Sequence, residues 1–525
     1  MKHVAVLGAG LSGLSSAFHL SRLHPNVRIT VLESQKRAGG WVRSTRVSLP
    51  ENYGSVLLEA GPRTLRPNAQ SVLELVNLLG LKEQLITVPK TSPAAKSRYL
   101  YIPPDHGTSY SGLQQIPSSF FSFVKSPLSS TLVAAVAQEA LKLNNRAKGV
   151  EDESVDSFLR RRFGSRFAET FGSAIIHGIY AADSRNISVR AALPSMWDAE
   201  ARGWGSLVRG MFMSVKKPQG QAYDAGNVPQ LMDGVSVYSF RDGMETLTRA
   251  LDSHIRMRPN VQISYNAPVT SLASTEDGFA ITVEGGRTVE ASHVVSALPT
   301  PILHSILSPT LATTEVNKVG SLTANSTSSV HVVNIVFPGP PCSIHPAGFG
   351  YLIPRPPTGY PSTSPEPTNL GILGTVFDSC SLADQDTEAR NPHAYHTAKF
   401  TKLTVMIGGP YPLPQLPPYL SSTEVPQGVD RKTNSLPQYM QTVLEQLAAH
   451  LGHWLPTPLY WRIVPNENCI PTLSPGHLER VDELQGYLDE RLGGRLQVVG
   501  AGIGGVSLGD CVEAGRTVAR RLHFQ

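Results

Sequence analysis

Gly8, Gly10 and Gly13 stand in the spacing G-x-G-x-x-G, between an apolar run at 4–7 and a helical apolar run at 14–23. Glycines placed this way suit the binding of a pyrophosphate. They permit a tight strand-to-helix turn, let backbone N–H groups reach phosphate oxygens, and leave the positive end of the helix facing the charge. Glu33 follows a second apolar run at 28–32 and lies 20 residues past Gly13, where a carboxylate can accept from a ribose hydroxyl. A second glycine-rich segment, 498–505, sits between a strand-like run at 495–499 and a helical run opening at 506. One dinucleotide site built from both ends of the chain is expected, and the helix opening at 506 is expected to face a flat cofactor's negatively charged edge. A plain strand-turn-helix ending would also account for the second set of glycines.

Two more glycine turns follow Glu33, Arg-Ala-Gly-Gly-Trp at 37–41 and Leu-Glu-Ala-Gly-Pro-Arg at 58–63. Backbone that must pass close to a bulky flat cofactor calls for such turns. Other chemistry is not encoded. Cys342, Cys380, Cys469 and Cys511 lack C-x-x-C or Cys/His spacing, so no metal is expected and the thiols read as reduced and structural. No Ser/His/Asp or paired-carboxylate constellation competes. His177 is the nearest candidate proton acceptor, and a histidine satisfied in the core is the more economical reading.

At 525 residues the chain exceeds what one hydrophobic core usually supports, so two or three lobes are expected. With 41% hydrophobic and 17% charged residues it is globular, and its net charge of +5 suits anionic substrates or lipid headgroups. No basic run argues for nucleic acid. The first strand begins at residue 4, so no leader peptide is expected, and no apolar stretch reaches the length of a membrane span. Residues 116–143, with Phe120, Phe121, Phe123 and Val124, fit either a peripheral membrane contact or a buried helix and its entry loop. Residues 91–229 read as mostly helical, whereas 301–464 alternates strands with proline-rich loops at 354–367 and 410–426.

Glu33 to Gly40 matches the E-x-x-x-x-x-G-G of the flavin amine oxidase superfamily, which the chain resembles. Within that superfamily it is most similar to the protoporphyrinogen oxidases. The segments Gly-Gly-Trp-Val-Arg-Ser at 39–44, Glu-Ala-Gly-Pro-Arg at 59–63, Arg-Tyr-Leu-Tyr-Ile at 98–102, Gly-Ile-Tyr-Ala-Ala-Asp-Ser at 178–184, Gly-Phe-Gly-Tyr-Leu-Ile-Pro at 348–354, Asn-Cys-Ile-Pro at 468–471 and Gly-Asp-Cys at 509–511 carry this resemblance. It implies an α/β and α+β architecture with a Rossmann-type FAD-binding domain assembled from 1–90, 230–300 and 465–525. A helical, membrane-associating domain at 91–229 and a mixed-sheet substrate domain at 301–464 would complete it.

The same resemblance implies non-covalent FAD, since no cysteine stands in a monoamine-oxidase attachment motif. Its contacts would be Gly8, Ala9, Gly10, Leu11, Ser12, Gly13, Glu33, Gly40, Trp41, Gly61, Pro62, Arg63, Thr64, Val269, Ala501, Val506, Ser507 and Leu508. Arg98 would anchor a substrate propionate, a task suited to a guanidinium's two parallel donors. Phe349, Leu352, Val376 and Met406 would sandwich the tetrapyrrole, and the Gly178 backbone would position it. Read without the resemblance, Arg98 is a surface arginine, the four apolar residues are core, and Gly178 caps a helix. The implied reaction is six-electron oxidation of protoporphyrinogen IX in haem synthesis, with hydride passing to flavin N5 and molecular oxygen yielding hydrogen peroxide. Peripheral attachment to the mitochondrial inner membrane, a homodimer, and a ferrochelatase as recipient of product are implied with it. The alternatives are an amine or polyamine oxidase and a non-catalytic escort protein of the GDP-dissociation-inhibitor type. At 501–505 and in the two proline-rich loops the chain departs from many relatives.

Overall fold

A computed structural model describes residues 2–50, 53–118, 120–141, 146–213, 222–311, 313–361, 370–386, 394–416 and 436–524. The apolar run at the start of the chain becomes the middle strand of a five-stranded parallel sheet. Its order is Leu496–Val498, His293–Ser296, His3–Leu7, Arg28–Leu32 and Val261–Ser264. Val4 lies opposite both His293 and Ile29, and Ser296 opposite Val498. Such strands are covered on both faces, which is why they read as unbroken apolar runs. The helices Leu11–Leu23 and Leu508–Arg521 pack together on one side of the sheet. They approach so closely that a Cβ at Gly515 would lie 2.7 Å from the Ser12 carbonyl, and Ser15 Oγ donates to Val512 O.

The second body is a seven-stranded sheet in the order Tyr460–Pro471, Thr327–Pro338, Phe400–Gly409, Ile372–Val376, Gly350–Leu352, Tyr99–Ile102 and Gly112–Gln115. Within 91–229, which reads as mostly helical, the last two strands therefore belong to this sheet. One sheet face carries Val333, Ile335, Phe337, Leu403, Val405 and Ile407 against Met440, Val443 and Leu447 of the helix Gln438–Leu451. The register puts Val332, Asn334, Thr404, Met406, Gly374 and Leu352 on the opposite face, toward the first body.

The helices of the described part of 120–213 include Ser129–Leu141, Val155–Phe163, Ser173–Tyr180, Pro194–Arg202 and Leu207–Phe212. A π-helical stretch, Ala168–Gly172, runs into Ser173–Tyr180. Among the described residues no helix is long and apolar enough to cross a membrane. The distal parts of the proline-rich loops, 362–367 and 417–426, lie outside the described residues.

Candidate active site

The glycines of the first turn are required for different reasons. A Cβ at Gly13 would sit 1.9 Å from the Gly8 carbonyl oxygen, so this glycine closes the turn on itself. At Gly10 a Cβ would meet no protein atom within 4 Å. The space over the helix N-terminus is thus open, and the helix has neither a side-chain cap nor an acid in its first turn. Its free N–H groups and positive end are available to an anion. A Cβ at Gly40 would lie 3.2 Å from Gly10 Cα, and Gly39 N donates to Ala9 O, so the second glycine turn seats directly on the first.

Glu33 is buried at this mouth. One of its carboxylate oxygens accepts from Ala9 N at 2.7 Å and the other from Gln35 N at 2.8 Å. Ala267 N donates to Glu33 O, which brings the strand beginning at Val269 alongside the acid. Leu11 and Ser12 are buried, whereas Trp41 is exposed and its carbonyl would lie 2.8 Å from a Cβ at Gly61. Gly61, Pro62 and Thr64 flank Arg63 in the same loop. Ala501 lies in the turn following Leu496–Val498, and Val506 packs against the cluster holding Ile176 and Tyr180.

The last helix begins at Leu508 and is closed by its own capping box. Ser507 Oγ accepts from Asp510 N, and the Asp510 carboxylate accepts from Ser507 N, each at 3.1 Å. Asp510 thereby places a carboxylate at this N-terminus, which offsets part of the positive end of the helix. The uncapped end belongs to the first helix.

Between the glycine cradle and the wide sheet lies a polar floor absent from the sequence reading. Arg63 Nη1 pairs with buried Asp378 at 3.1 Å, and Asp378 also accepts from Thr404 Oγ1 at 2.5 Å. Asn334 donates to Glu59 O and Thr404 Oγ1 and accepts from Arg462 Nε, while Asn466 donates to Ala60 O. Arg63 is therefore anchored to the sheet through Nη1, with Nη2 left as a buried donor that has no hydrogen-bond partner. Burial, only partly offset by bonds from Ser44 and Met244, raises the Glu59 carboxyl to about 7. Burial also lowers Arg462 to about 10. A signal for these residues did exist: Asn334, Thr404 and Arg462 each stand between two apolar neighbours within a strand.

The register assembles the apolar wall. Leu352, Gly374, Met406 and Val332 form one row across the sheet, and Gly350, Val376, Thr404 and Asn334 form the next. Leu352, Val376 and Met406 thus share the face opposite the core, with two glycines between them that leave a shallow groove. All three remain partly exposed in strands that are otherwise buried, as does Phe349. Gly178 stands over this groove on the helix Ser173–Tyr180, with half-exposed Ile175 and Ile179 beside it on the same helical face. Arg98 directly precedes the strand Tyr99–Ile102, and its guanidinium lies 6.0 Å from the Phe349 ring centroid. Desolvation and the nearby Arg66 lower its pKa, and among the described residues no carboxylate pairs with it. The arrangement is an apolar groove with a cation at its edge, next to a cradle fitted to a dinucleotide. Among the described residues no group of His, Cys, Asp and Glu is arranged to hold a metal.

Comparison with known proteins agrees with this geometry. The sequence pattern of the flavin-containing amine oxidoreductases matches residues 11–523. The protoporphyrinogen oxidase of Schizosaccharomyces pombe is 30% identical over 99% of this chain and 98% of its own. The protoporphyrinogen oxidase of Homo sapiens is 30% identical over 98% and 97%. A crystal structure from Exiguobacterium sp. 255-15 superposes with a TM-score of 0.71 at 20% identity, covering 99% of this chain and 98% of that one, a likeness of fold. The dinucleotide of the cradle is FAD.

Proposed function

Because the chain belongs to the flavin-containing amine oxidoreductases and, within them, to the protoporphyrinogen oxidases, we propose that it oxidises protoporphyrinogen IX to protoporphyrin IX. The observation that carries this reading is the glycine-floored groove of Leu352, Val376 and Met406 with Arg98 at its edge, paired with no carboxylate among the described residues. A greasy macrocycle with few polar groups needs a broad apolar wall, and its propionate needs one well-placed guanidinium. An amine substrate would be repelled by Arg98.

Bound FAD would supply a hydride acceptor for each two-electron oxidation. The chain holds the macrocycle flat against the groove, places a methylene bridge near the cradle, and keeps the carboxylate end at Arg98. Three such oxidations remove six hydrogens, and three molecules of oxygen leave as hydrogen peroxide. The substrate gains aromaticity, so positioning matters more than a strong base.

The same reading places the enzyme peripherally on the mitochondrial inner membrane. It is supported by the apolar surface of Val133 and Val136 on the helix Ser129–Leu141 and of Met211, Phe212 and Met213 on and just after the neighbouring helix. Glu139 ties those helices together by accepting from Leu207 N and Ser206 Oγ. The helix Ser129–Leu141 buries Thr131, Ala135 and Glu139 while exposing its valines, which favours a surface contact over a fully buried helix. Product transfer to a ferrochelatase and a homodimer follow from the family resemblance.

The deciding experiment is anaerobic mixing of the FAD-loaded protein with protoporphyrinogen IX, alongside coproporphyrinogen III, which carries four propionates rather than two. Flavin bleaching by the first, with porphyrin fluorescence appearing once oxygen is admitted, is the expected result. Bleaching by the second alone would reassign the substrate, and no bleaching by either would overturn the reading.

A further inference from the structure

The helix Ser173–Tyr180 turns Ile175, Gly178 and Ile179 toward the groove and His177 away from it. His177 is 1% exposed. Its Nδ1 lies 2.7 Å from Ile353 O and its Nε2 lies 2.6 Å from the Tyr360 hydroxyl. A carbonyl only accepts, so Nδ1 must carry the proton and Nε2 must accept from Tyr360. With both nitrogens engaged, the ring has no lone pair for a substrate proton.

The partners on the other side are consecutive as well. His177 bonds Ile353 while Gly178 contacts Leu352, so the hydrogen bond stands next to the contact between the helix and the groove wall and fixes its position. The segment 353–360 is held at further points. Ser173 Oγ accepts from Arg355 N at 3.0 Å, Arg355 pairs with Asp156 at 2.7 Å, and the Tyr360 ring meets Tyr411 edge-on at 5.0 Å.

We propose that the Tyr360–His177 pair is a positioning device that holds Leu352 against Gly178 and so fixes the apolar wall that the substrate meets. Tyr360 fixes the histidine tautomer, the tautomer fixes the bond to Ile353, and that bond holds Leu352 under Gly178. The proposal rests on the reading that the macrocycle lies against Gly178. Loss of the clamp leaves the cradle intact and loosens only the alignment of the reacting carbon, which costs rate in the bound complex.

The test uses the FAD-loaded full chain and its Tyr360→Phe, His177→Gln and doubly substituted forms. In anaerobic stopped flow with protoporphyrinogen IX, Tyr360→Phe is expected to lower the limiting rate of flavin bleaching about tenfold. The half-saturating concentration should change less than about twofold, with FAD content and reduction by dithionite unchanged. The double variant should be no slower than His177→Gln alone, because both substitutions break one linkage. A wild-type limiting rate in Tyr360→Phe, multiplying losses in the double variant, or a parallel fall in dithionite reduction would each overturn the proposal. Histidine 15N spectra test the clamp independently of the substrate, with the His177 signal identified by its loss in His177→Gln. An Nδ1–H tautomer that becomes mixed in Tyr360→Phe supports it, and an Nε2–H tautomer in the wild type overturns it. If the wild type shows the expected tautomer yet is not bleached by protoporphyrinogen IX, the substrate reading fails and the clamp stands.

Discussion

Gly178 and Leu352 meet with no room for a methyl group between them, since a Cβ added at 178 would lie 2.7 Å from a Leu352 methyl carbon. Gly178→Ala should therefore push Leu352 into the groove. Alanine is better than glycine in a helix by about 1 kcal/mol, so the thermal midpoint should hold or rise while turnover of protoporphyrinogen falls about tenfold or more. Pairing it with Leu352→Ala should restore part of the rate. Unchanged steady-state kinetics in Gly178→Ala would show that this face does not touch substrate.

Arg98 lies far from the glycine cradle in sequence and is bonded to none of its side chains, so removing it should spare the cofactor. Arg98→Ala is expected to raise KM for the porphyrinogen by about 10- to 100-fold, the range of a charge-assisted hydrogen bond, with FAD still bound. Arg98→Lys should recover only part of this, because an ammonium cannot grip a carboxylate with two parallel donors. Initial rates over a range of porphyrinogen concentrations, with the bound flavin measured by absorbance, provide the check.

The parallel sheet is legible in the sequence because its strands are buried on both faces. The runs at 4–7 and 28–32 are observed as His3–Leu7 and Arg28–Leu32. Ser44–Ser48 and Tyr460–Pro471 escape such reading because polar residues interrupt them where they meet the cradle. The glycine turns announce the cofactor, since close backbone approach leaves few alternatives to glycine. The polar floor announces only scattered polar positions, because Arg63, Asn334, Asp378, Thr404 and Arg462 become neighbours only through sheet register and have no common spacing. Residues 99–102 read as part of a helical region because one short strand at a sheet edge carries too little periodicity to show. The capping box at Ser507 and Asp510 was present in the sequence, and its consequence for charge appears only once both hydrogen bonds are seen.

Five buried histidines, His19, His177, His331, His345 and His450, are held down to about 4, in each case chiefly by burial. Between pH 6.5 and 4 the unfolded chain takes up protons at these positions that the folded chain refuses. Stability therefore falls as pH falls through this window, by about 1.4 kcal/mol per pH unit for each histidine. Glu59, raised to about 7, acts in the opposite direction. Its folded state holds a proton that the unfolded state releases between about 4.5 and 7, so acidification there is stabilising by a similar slope. Five against one, the histidines prevail. Urea midpoints should be nearly flat above pH 7 and drop steeply below 6.5, and His450→Gln should remove about one histidine's share of the slope. A midpoint that holds steady down to pH 5 would contradict this.

Gly10 and Gly13 separate the cofactor's demands from the protein's own. At Gly13 the added methyl would strike the Gly8 carbonyl at 1.9 Å, so Gly13→Ala should distort the turn itself and lower the stability of the chain even without FAD. At Gly10 the backbone lies at φ −67°, open to any residue, and the methyl would meet no protein atom. Gly10→Ala should leave the unfolding midpoint of the flavin-free protein where it was. The methyl would instead occupy the space above the helix N-terminus where the pyrophosphate belongs, and FAD affinity should fall by about tenfold or more. Thermal unfolding of both flavin-free variants, set beside fluorescence titration with FAD, distinguishes the two effects. Equal loss of FAD-free stability in both would mean that Gly10 serves the fold, and undiminished FAD affinity in Gly10→Ala would move the pyrophosphate elsewhere.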